Sequence, residues 1–238
     1  MIIVYILLAV IAAYLVFLCC CALAVSPDRE YKTHSRFYRR VLNDATSIAL
    51  RLCRVKIHVT GMDKLPAEGR MLFVCNHRSN FDPLVTWHVL KKWDIAFISK
   101  PENFNIPIFG RIARRCCFLA IDRENPRNAY KTIERAVELI KSDQVSVGVY
   151  PEGTRNTKSD LLPFHNGVFK IAQRTGVPIA VLTIAGTDMV HRNFPFRRTH
   201  IYLNVVDVIP PAEQSKNTAE IGHRVTSAML LTLAAANQ

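Results

Sequence analysis

The chain opens on an unbroken apolar block and then alternates between two periodicities. From Ile2 to Val25 no residue is charged. As a helix at 1.5 Å per residue this block would be ~36 Å long, enough to cross a hydrocarbon core of ~30 Å with some tilt. From His34 to Arg54 apolar residues recur at helical spacing: Phe37, Val41, Leu42, Ala45, Ile48, Ala49 and Leu52, with Arg36, Arg39, Arg40, Arg51 and Arg54 on the other positions. Val55–Thr60 alternates like a half-buried strand, and Met71–Cys75 is the short continuous run of a buried one. Further on the pattern predicts strands at Ile95–Ser99, Phe118–Ile121, Val145–Tyr150, Ile179–Ala185 and His200–Val208. It predicts helices at Pro83–Lys91, Pro126–Lys141 and Val168–Thr175, and a closing helix from Ala212 to Ala236.

Strands alternating with helices predict an α/β fold: a mixed, largely parallel sheet flanked by helices, with an N-terminal transmembrane helix. The expected organisation is an anchor over residues 1–26, a basic amphipathic juxtamembrane helix over 27–54 and an α/β domain over 55–238. Ligands of such sheets bind beyond the carboxyl ends of the strands.

The apolar block has three readings. Ala22-Leu23-Ala24 resembles a signal-peptide cleavage site, but no basic region precedes the run, and the run is long for a signal core. A buried core helix rarely runs this far without a polar face. A membrane anchor fits best. Arg29, Lys32, Arg36, Arg39 and Arg40 follow it, and by the positive-inside rule they place the rest of the chain in the cytoplasm. The basic helix after the anchor either lies on anionic lipid or packs as an ordinary domain helix.

Composition adds two constraints. The net charge of +12 calls for an anionic partner, whether nucleic acid, lipid headgroups or phosphorylated substrates. The anchor favours a membrane surface. A nucleic-acid reading rests on charge alone, since no RNA-binding aromatics or recognisable module accompany it. The seven cysteines, Cys19, Cys20, Cys21, Cys53, Cys75, Cys116 and Cys117, contain no C-x-x-C pair. They read as reduced and mostly buried, with Cys116 and Cys117 in an apolar, strand-like run, and no metal site is expected. Glycine fingerprints for dinucleotides and P-loops, the G-x-S-x-G elbow and H-E-x-x-H are all missing from the sequence.

Two stretches carry chemistry. Asn76-His77-Arg78-Ser79-Asn80-Phe81-Asp82 lies between the Met71–Cys75 strand and the helix beginning near Pro83. On a continuous helix His77 and Asp82 would point ~140° apart, but a strand-end loop can fold them together. Imidazole suits general-base work near neutral pH, and a carboxylate on its other nitrogen fixes the tautomer and stabilises the imidazolium. The plainer reading of Asp82 is a helix N-cap followed by Pro83 at the first helical position. The second stretch is Tyr150-Pro151-Glu152-Gly153-Thr154-Arg155-Asn156. Gly153 permits a tight turn and close ligand approach, Arg155 offers a planar fork for phosphate, and Glu152 is available to hold that arginine or to accept from a hydroxyl. Alone it would be a surface loop with a local ion pair.

Taken together, N-H-R-S-N-F-D followed by P-E-G-T-R resembles the glycerolipid acyltransferase family, most closely its 1-acylglycerol-3-phosphate acyltransferases. Lys100-Pro101-Glu102 through Ile106-Pro107-Ile108-Phe109-Gly110-Arg111 is similar to the family's second motif, and Gly176-Val177-Pro178-Ile179-Ala180-Val181 to its fourth. Phe118-Leu119-Ala120-Ile121-Asp122-Arg123 and Leu162-Pro163-Phe164-His165-Asn166-Gly167-Val168-Phe169 also fit. The resemblance runs from about Val55 to Pro210, and departs at Pro101-Glu102-Asn103-Phe104, where the family often has Glu-Leu after the lysine.

The resemblance implies that His77 takes the proton of a free glycerol hydroxyl and that Asp82 orients and charge-stabilises it. Glu152, Gly153, Thr154 and Arg155 would form part of the acceptor site, with Arg155 on the phosphate and Lys100 and Arg111 helping to hold it. Residues near Pro178 would be structural. No cofactor is implied; acyl-CoA or acyl carrier protein thioester is the co-substrate, and membrane phospholipids and lysophosphatidic acid are the lipid partners. The alternatives are an acyltransferase or transacylase acting on another lysophospholipid, and a non-catalytic lipid-binding relative, against which the intact motifs argue.

Overall fold

The computed structural model describes residues 1–156 and 160–235. Its centre is a seven-stranded sheet built from β1 (Val55–Thr60), β2 (Leu72–Cys75), β3 (Ala96–Ser99), β4 (Leu119–Ala120), β5 (Val147–Val149), β6 (Ile179–Ala185) and β7 (Thr199–Ile209). The order across the sheet is β1-β7-β6-β2-β5-β3-β4. β6, β2, β5, β3 and β4 are parallel. β7 joins β6 antiparallel and carries β1 parallel to itself, so the last two strands run the other way. The sheet is mixed and largely parallel, as the sequence pattern predicts.

Burial of the central strands on both faces explains their unbroken apolar sequence. Along β2, Leu72 and Val74 join one core layer while Phe73 and Cys75 join the other, the two-residue alternation of a pleated strand. The first layer is completed by α5 (Pro126–Lys141), α6 (Lys170–Thr175) and α8 (Thr218–Ala235). The second holds α2 (Arg36–Leu52), α3 (Asp82–Val89), α4 (Phe109–Arg115), the base of α7 (Val190–Asn193) and the last turn of α1 (Ile2–Leu23).

α1 is long and apolar enough to cross a membrane. Its first three turns are exposed, whereas Leu18, Cys21, Ala22 and the following Val25 are buried against the domain. Two hydrogen bonds fasten this docked end: the Tyr38 hydroxyl donates to the Cys21 carbonyl (3.1 Å), and Arg111 donates to the Val25 carbonyl (3.2 Å).

α2 packs on α3 and α4 as a domain helix. Its buried face is turned from the one that spacing predicts. Val41, Leu42, Thr46 and Leu50 face in, Phe37, Ile48 and Leu52 face out, and Arg39, expected on the polar side, is among the most buried residues of the helix. The Arg39 guanidinium donates to the carbonyls of Asp94 (2.7 Å), Ile95 (3.1 Å) and Cys116 (3.3 Å), and lies over the Trp87 ring. A buried charge persists only when it is paired and hydrogen-bonded, and here three backbone carbonyls bond the guanidinium while the Asp94 carboxylate lies 3.6 Å from it.

Residues 101–117 differ from expectation. A 3-10 turn at Pro101–Asn105 and α4 occupy a stretch in which no helix is predicted, because two prolines and a glycine interrupt its periodicity. Cys116 and Cys117 end α4 rather than lying in a strand, and Cys117 takes a positive φ of 62°. All seven cysteines are free, and burial pushes the thiols of Cys116 and Cys117 up to about 12 and about 11. The closing helix starts at Thr218, since Pro211–Glu213 form a separate 3-10 turn; its expected end at Ala236 lies outside the described residues. Gly110 is required by packing, because a Cβ there would overlap the Phe104 carbonyl oxygen. Gly110→Ala is expected to lower stability by about 1–3 kcal/mol, read as a fall in the unfolding midpoint of the full chain in detergent.

Candidate active site

The parallel strands deliver their C-terminal ends to one edge, and the two chemistry-bearing stretches meet there. Asn76, directly after β2, is fully buried. Its side-chain amide both donates to the Ile184 carbonyl (3.0 Å) and accepts from the Ile184 N–H (2.7 Å), which pins the loop to β6. The next residue is held from the other side. The His77 N–H donates to Glu152 Oε1 (2.7 Å), and the His77 carbonyl accepts from the Asn156 N–H (2.8 Å).

With its backbone fixed, His77 presents Nδ1 to Asp82 Oδ2 at 2.8 Å. The same oxygen accepts from the N–H groups of Arg78 (2.6 Å) and Ser79 (2.7 Å), and Oδ1 accepts from the Thr187 hydroxyl (2.5 Å). Asp82 is fully buried. It is not the helix N-cap that Asp-Pro suggests: Phe81 holds that position, Asp82 is the first residue of α3, and its carboxylate caps the loop before it. A carboxylate accepts and cannot donate, so the proton between the two groups sits on Nδ1, and in the neutral ring the lone pair is then on Nε2. The imidazole rests on the Tyr150 ring, centroids 4.5 Å apart. The Tyr150 hydroxyl is hydrogen-bonded to Thr86 Oγ1 (2.8 Å), and burial holds that phenol well above its ordinary range.

His77 opens on a cavity of about 350 Å³. Lys100, Gly153, Thr154 and Arg155 line it together with His77, so the structure brings these five candidates to one place. Its other wall is apolar, formed by Leu84, Phe97, Ile98, Ile106, Phe109 and Phe118. Arg155 donates to Asn80 Oδ1 (3.1 Å) and is exposed. Gly153 has a positive φ of 73°, and a Cβ there would meet the His165 ring at 2.8 Å and the Arg123 guanidinium at 3.2 Å.

Two candidates stand elsewhere. Arg111 points back to the anchor through Val25 and does not line the cavity. Glu152 neither holds Arg155 nor lines the cavity: it is buried, and its second oxygen accepts from the Leu162 N–H (3.0 Å), so the carboxylate ties two loops together beneath the histidine. The Pro178 carbonyl accepts from the Leu72 N–H (3.0 Å), a structural link between β6 and β2.

Residue-by-residue reasoning passes over Arg123 and Thr187. Arg123 donates to the Gly153 carbonyl and lines both this cavity and a neighbouring, mostly apolar one of about 520 Å³. Its signal was its place at the end of the Phe118–Arg123 stretch. Thr187 had no local signal, since only the pairing of β6 with β2 brings it to Asp82.

An imidazole with one nitrogen on a buried carboxylate and the other toward a basic, half-apolar cavity is equipped to take a proton from a bound hydroxyl. Comparison with known proteins gives the family. Residues 56–185, more than half of the chain, match the acyltransferase family, and the chain belongs to that family. It is 30% identical over 148 residues to the 1-acyl-sn-glycerol-3-phosphate acyltransferase of Escherichia coli K12, covering 62% of this chain and 59% of that protein. It is 33% identical over 136 residues to a chloroplastic 1-acyl-sn-glycerol-3-phosphate acyltransferase of Brassica napus, covering 57% of this chain and 39% of that one. The chain thus spans less than two thirds of the length of these curated relatives. In fold it is similar to the crystal structure of the 1-acyl-sn-glycerophosphate (LPA) acyltransferase PlsC from Thermotoga maritima, with a TM-score of 0.69 at 22% identity, over 84% of this chain and 79% of that one.

Proposed function

We propose that this protein transfers a fatty acyl group from a thioester, acyl-CoA or acyl carrier protein, to the free sn-2 hydroxyl of lysophosphatidic acid, giving phosphatidic acid at a membrane surface. The observation that carries this reading is the 2.8 Å contact between His77 and Asp82 at a cavity whose polar lining includes Lys100, Arg123 and Arg155. His77 Nε2 takes the proton of the acceptor hydroxyl as its oxygen attacks the thioester carbonyl. The carbon–sulfur bond then breaks, and the departing thiolate receives the proton from the imidazolium. Asp82 stabilises the transient positive charge. The cationic side chains suit the acceptor phosphate, and the apolar wall suits an acyl chain. The names of the relatives point to the same acceptor. α1 would hold the domain at the bilayer where that acceptor lives, with the basic segment after it on the cytoplasmic side.

The deciding assay offers membranes holding the protein lysophosphatidic acid or other lysophospholipids, each with acyl-CoA and with acyl carrier protein thioester. Lysophosphatidic acid should be the preferred acceptor with at least one donor; acylation of another lysophospholipid alone would overturn the reading. Arg155→Ala is expected to raise the acceptor KM about tenfold, the scale of one lost charge-assisted hydrogen bond, with a much smaller change in kcat. Steady-state kinetics in mixed micelles checks it, and unchanged kinetics would remove Arg155 from the site.

A further inference from the structure

The turn between β6 and β7 joins a buried base to an exposed aromatic tip. Its base is rigid. Val190 is completely buried in the core layer that also holds the docked end of α1, and the Thr187 hydroxyl is bonded to Asp82. Hydrogen bonds close the turn above that base: Phe194 N–H to the Val190 carbonyl (3.0 Å), Arg197 N–H to the Asn193 carbonyl (2.7 Å), and Asn193 Nδ2 to Thr199 Oγ1 (3.0 Å). The side chains at the tip nevertheless face outward. Phe196 is 86% exposed and Phe194 50% exposed, with Met189 exposed beside them. Arg192, Arg197 and Arg198 flank the pair and are also exposed. Among the described residues none of the three arginines is in an ion pair, and the only carboxylate between Gly186 and His200 is Asp188.

Two aromatic rings on a closed turn, ringed by unpaired cations, match one kind of surface. An anionic bilayer accepts aromatic side chains at headgroup depth and attracts the arginines around them. A second protein is a poorer match. Each ring offers at most about 150–250 Å², whereas a stable protein interface buries on the order of 1,000 Å² or more. Position favours the membrane as well. The turn follows β6 at the strand edge that carries the His77 loop, and α4, on which the anchor docks, follows β3 at the same edge.

We propose that Met189–Arg198 is a second membrane contact: Phe194 and Phe196 enter the interface of an anionic bilayer while Arg192, Arg197 and Arg198 engage its headgroups. With α1 this gives two attachment points on either side of the active-site mouth. A single helix leaves the domain free to swivel; two points fix the mouth against the lipid surface. Thr187, two residues before this contact, is hydrogen-bonded to the carboxylate behind His77.

The test uses the full chain reconstituted into phosphatidylcholine vesicles, with and without phosphatidylglycerol, and reads lipid contact without activity, so it stands apart from the acyl-transfer assay. Phe196→Trp supplies a reporter; Trp87 and Trp93 are nearly fully buried, and the parent protein gives their background. Leu231→Trp, exposed on α8 in the layer across the sheet, is the control. Brominated lipid should quench the reporter at position 196 strongly in the anionic vesicles and the one at 231 little. Replacing all three arginines by glutamine should weaken the lipid association of the turn, about fivefold for each charge removed. Phe194→Ser should weaken it about tenfold. Quenching at 196 no greater than at 231 would overturn the proposal. So would a reporter shielded from both brominated lipid and aqueous iodide, which would mean that a second copy of the chain covers the turn.

Discussion

His77→Ala is expected to lower acyl transfer by about 10²–10⁴-fold, the usual contribution of a positioned general base, while the protein stays folded. The fold should survive because the loop is held by backbone and neighbours rather than by the imidazole. The residue-77 N–H keeps Glu152, its carbonyl keeps the Asn156 N–H, and Asn76 keeps both bonds to Ile184. What goes is the ring on Tyr150 and the bond to Asp82. Turnover of lysophosphatidic acid by the purified variant, with circular dichroism and an unfolding curve beside it, separates the two effects. A folded variant with the parent's rate would end the general-base assignment.

The parts of this molecule that sequence made legible are those whose signal is local. Met71–Cys75 and Ile179–Ala185 read as strands because both faces of each are buried, and α5 because its apolar residues keep helical spacing from Pro126 to Lys141. The His77–Asp82 meeting was legible because one short loop joins a strand to a helix, with His77 in the loop and Asp82 at the helix start. Long-range placement was not. Nothing near Glu152 says that its oxygens go to the N–H groups of His77 and Leu162, and nothing near Thr187 says that it reaches Asp82. Arg39 misled for a related reason: a charged residue in an amphipathic helix belongs outside by default, and only groups supplied by other elements, the carbonyls of Asp94, Ile95 and Cys116 and the Asp94 carboxylate, make its burial tolerable. Arg111 sits within a motif similar to the family's, yet its guanidinium faces Val25. A motif gives the residue type; the direction of the side chain depends on what the surrounding fold leaves open.

Asp82 allows the carboxylate's two duties, scaffold and charge, to be measured apart. Oδ2 receives Nδ1 of His77 and the N–H groups of Arg78 and Ser79, while Oδ1 receives the Thr187 hydroxyl. An asparagine can place its oxygen where Oδ2 was and keep three donors satisfied. Its nitrogen then faces Thr187, whose hydroxyl can turn from donor to acceptor. Asp82→Asn is therefore expected to fold with little loss of stability and to bind acceptor normally, yet to lose about 10²–10⁴-fold in kcat, because a neutral amide no longer stabilises the imidazolium. Asp82→Ala should lose the same chemistry and, in addition, about 2–4 kcal/mol of stability, because it strands the Arg78 and Ser79 amides and the Thr187 hydroxyl. Unfolding midpoints and kcat for both variants give the comparison. If asparagine kept the parent's kcat, the carboxylate would be a loop cap alone, and His77 would work without it. If asparagine unfolded as readily as alanine, charge and scaffold would be inseparable at this position.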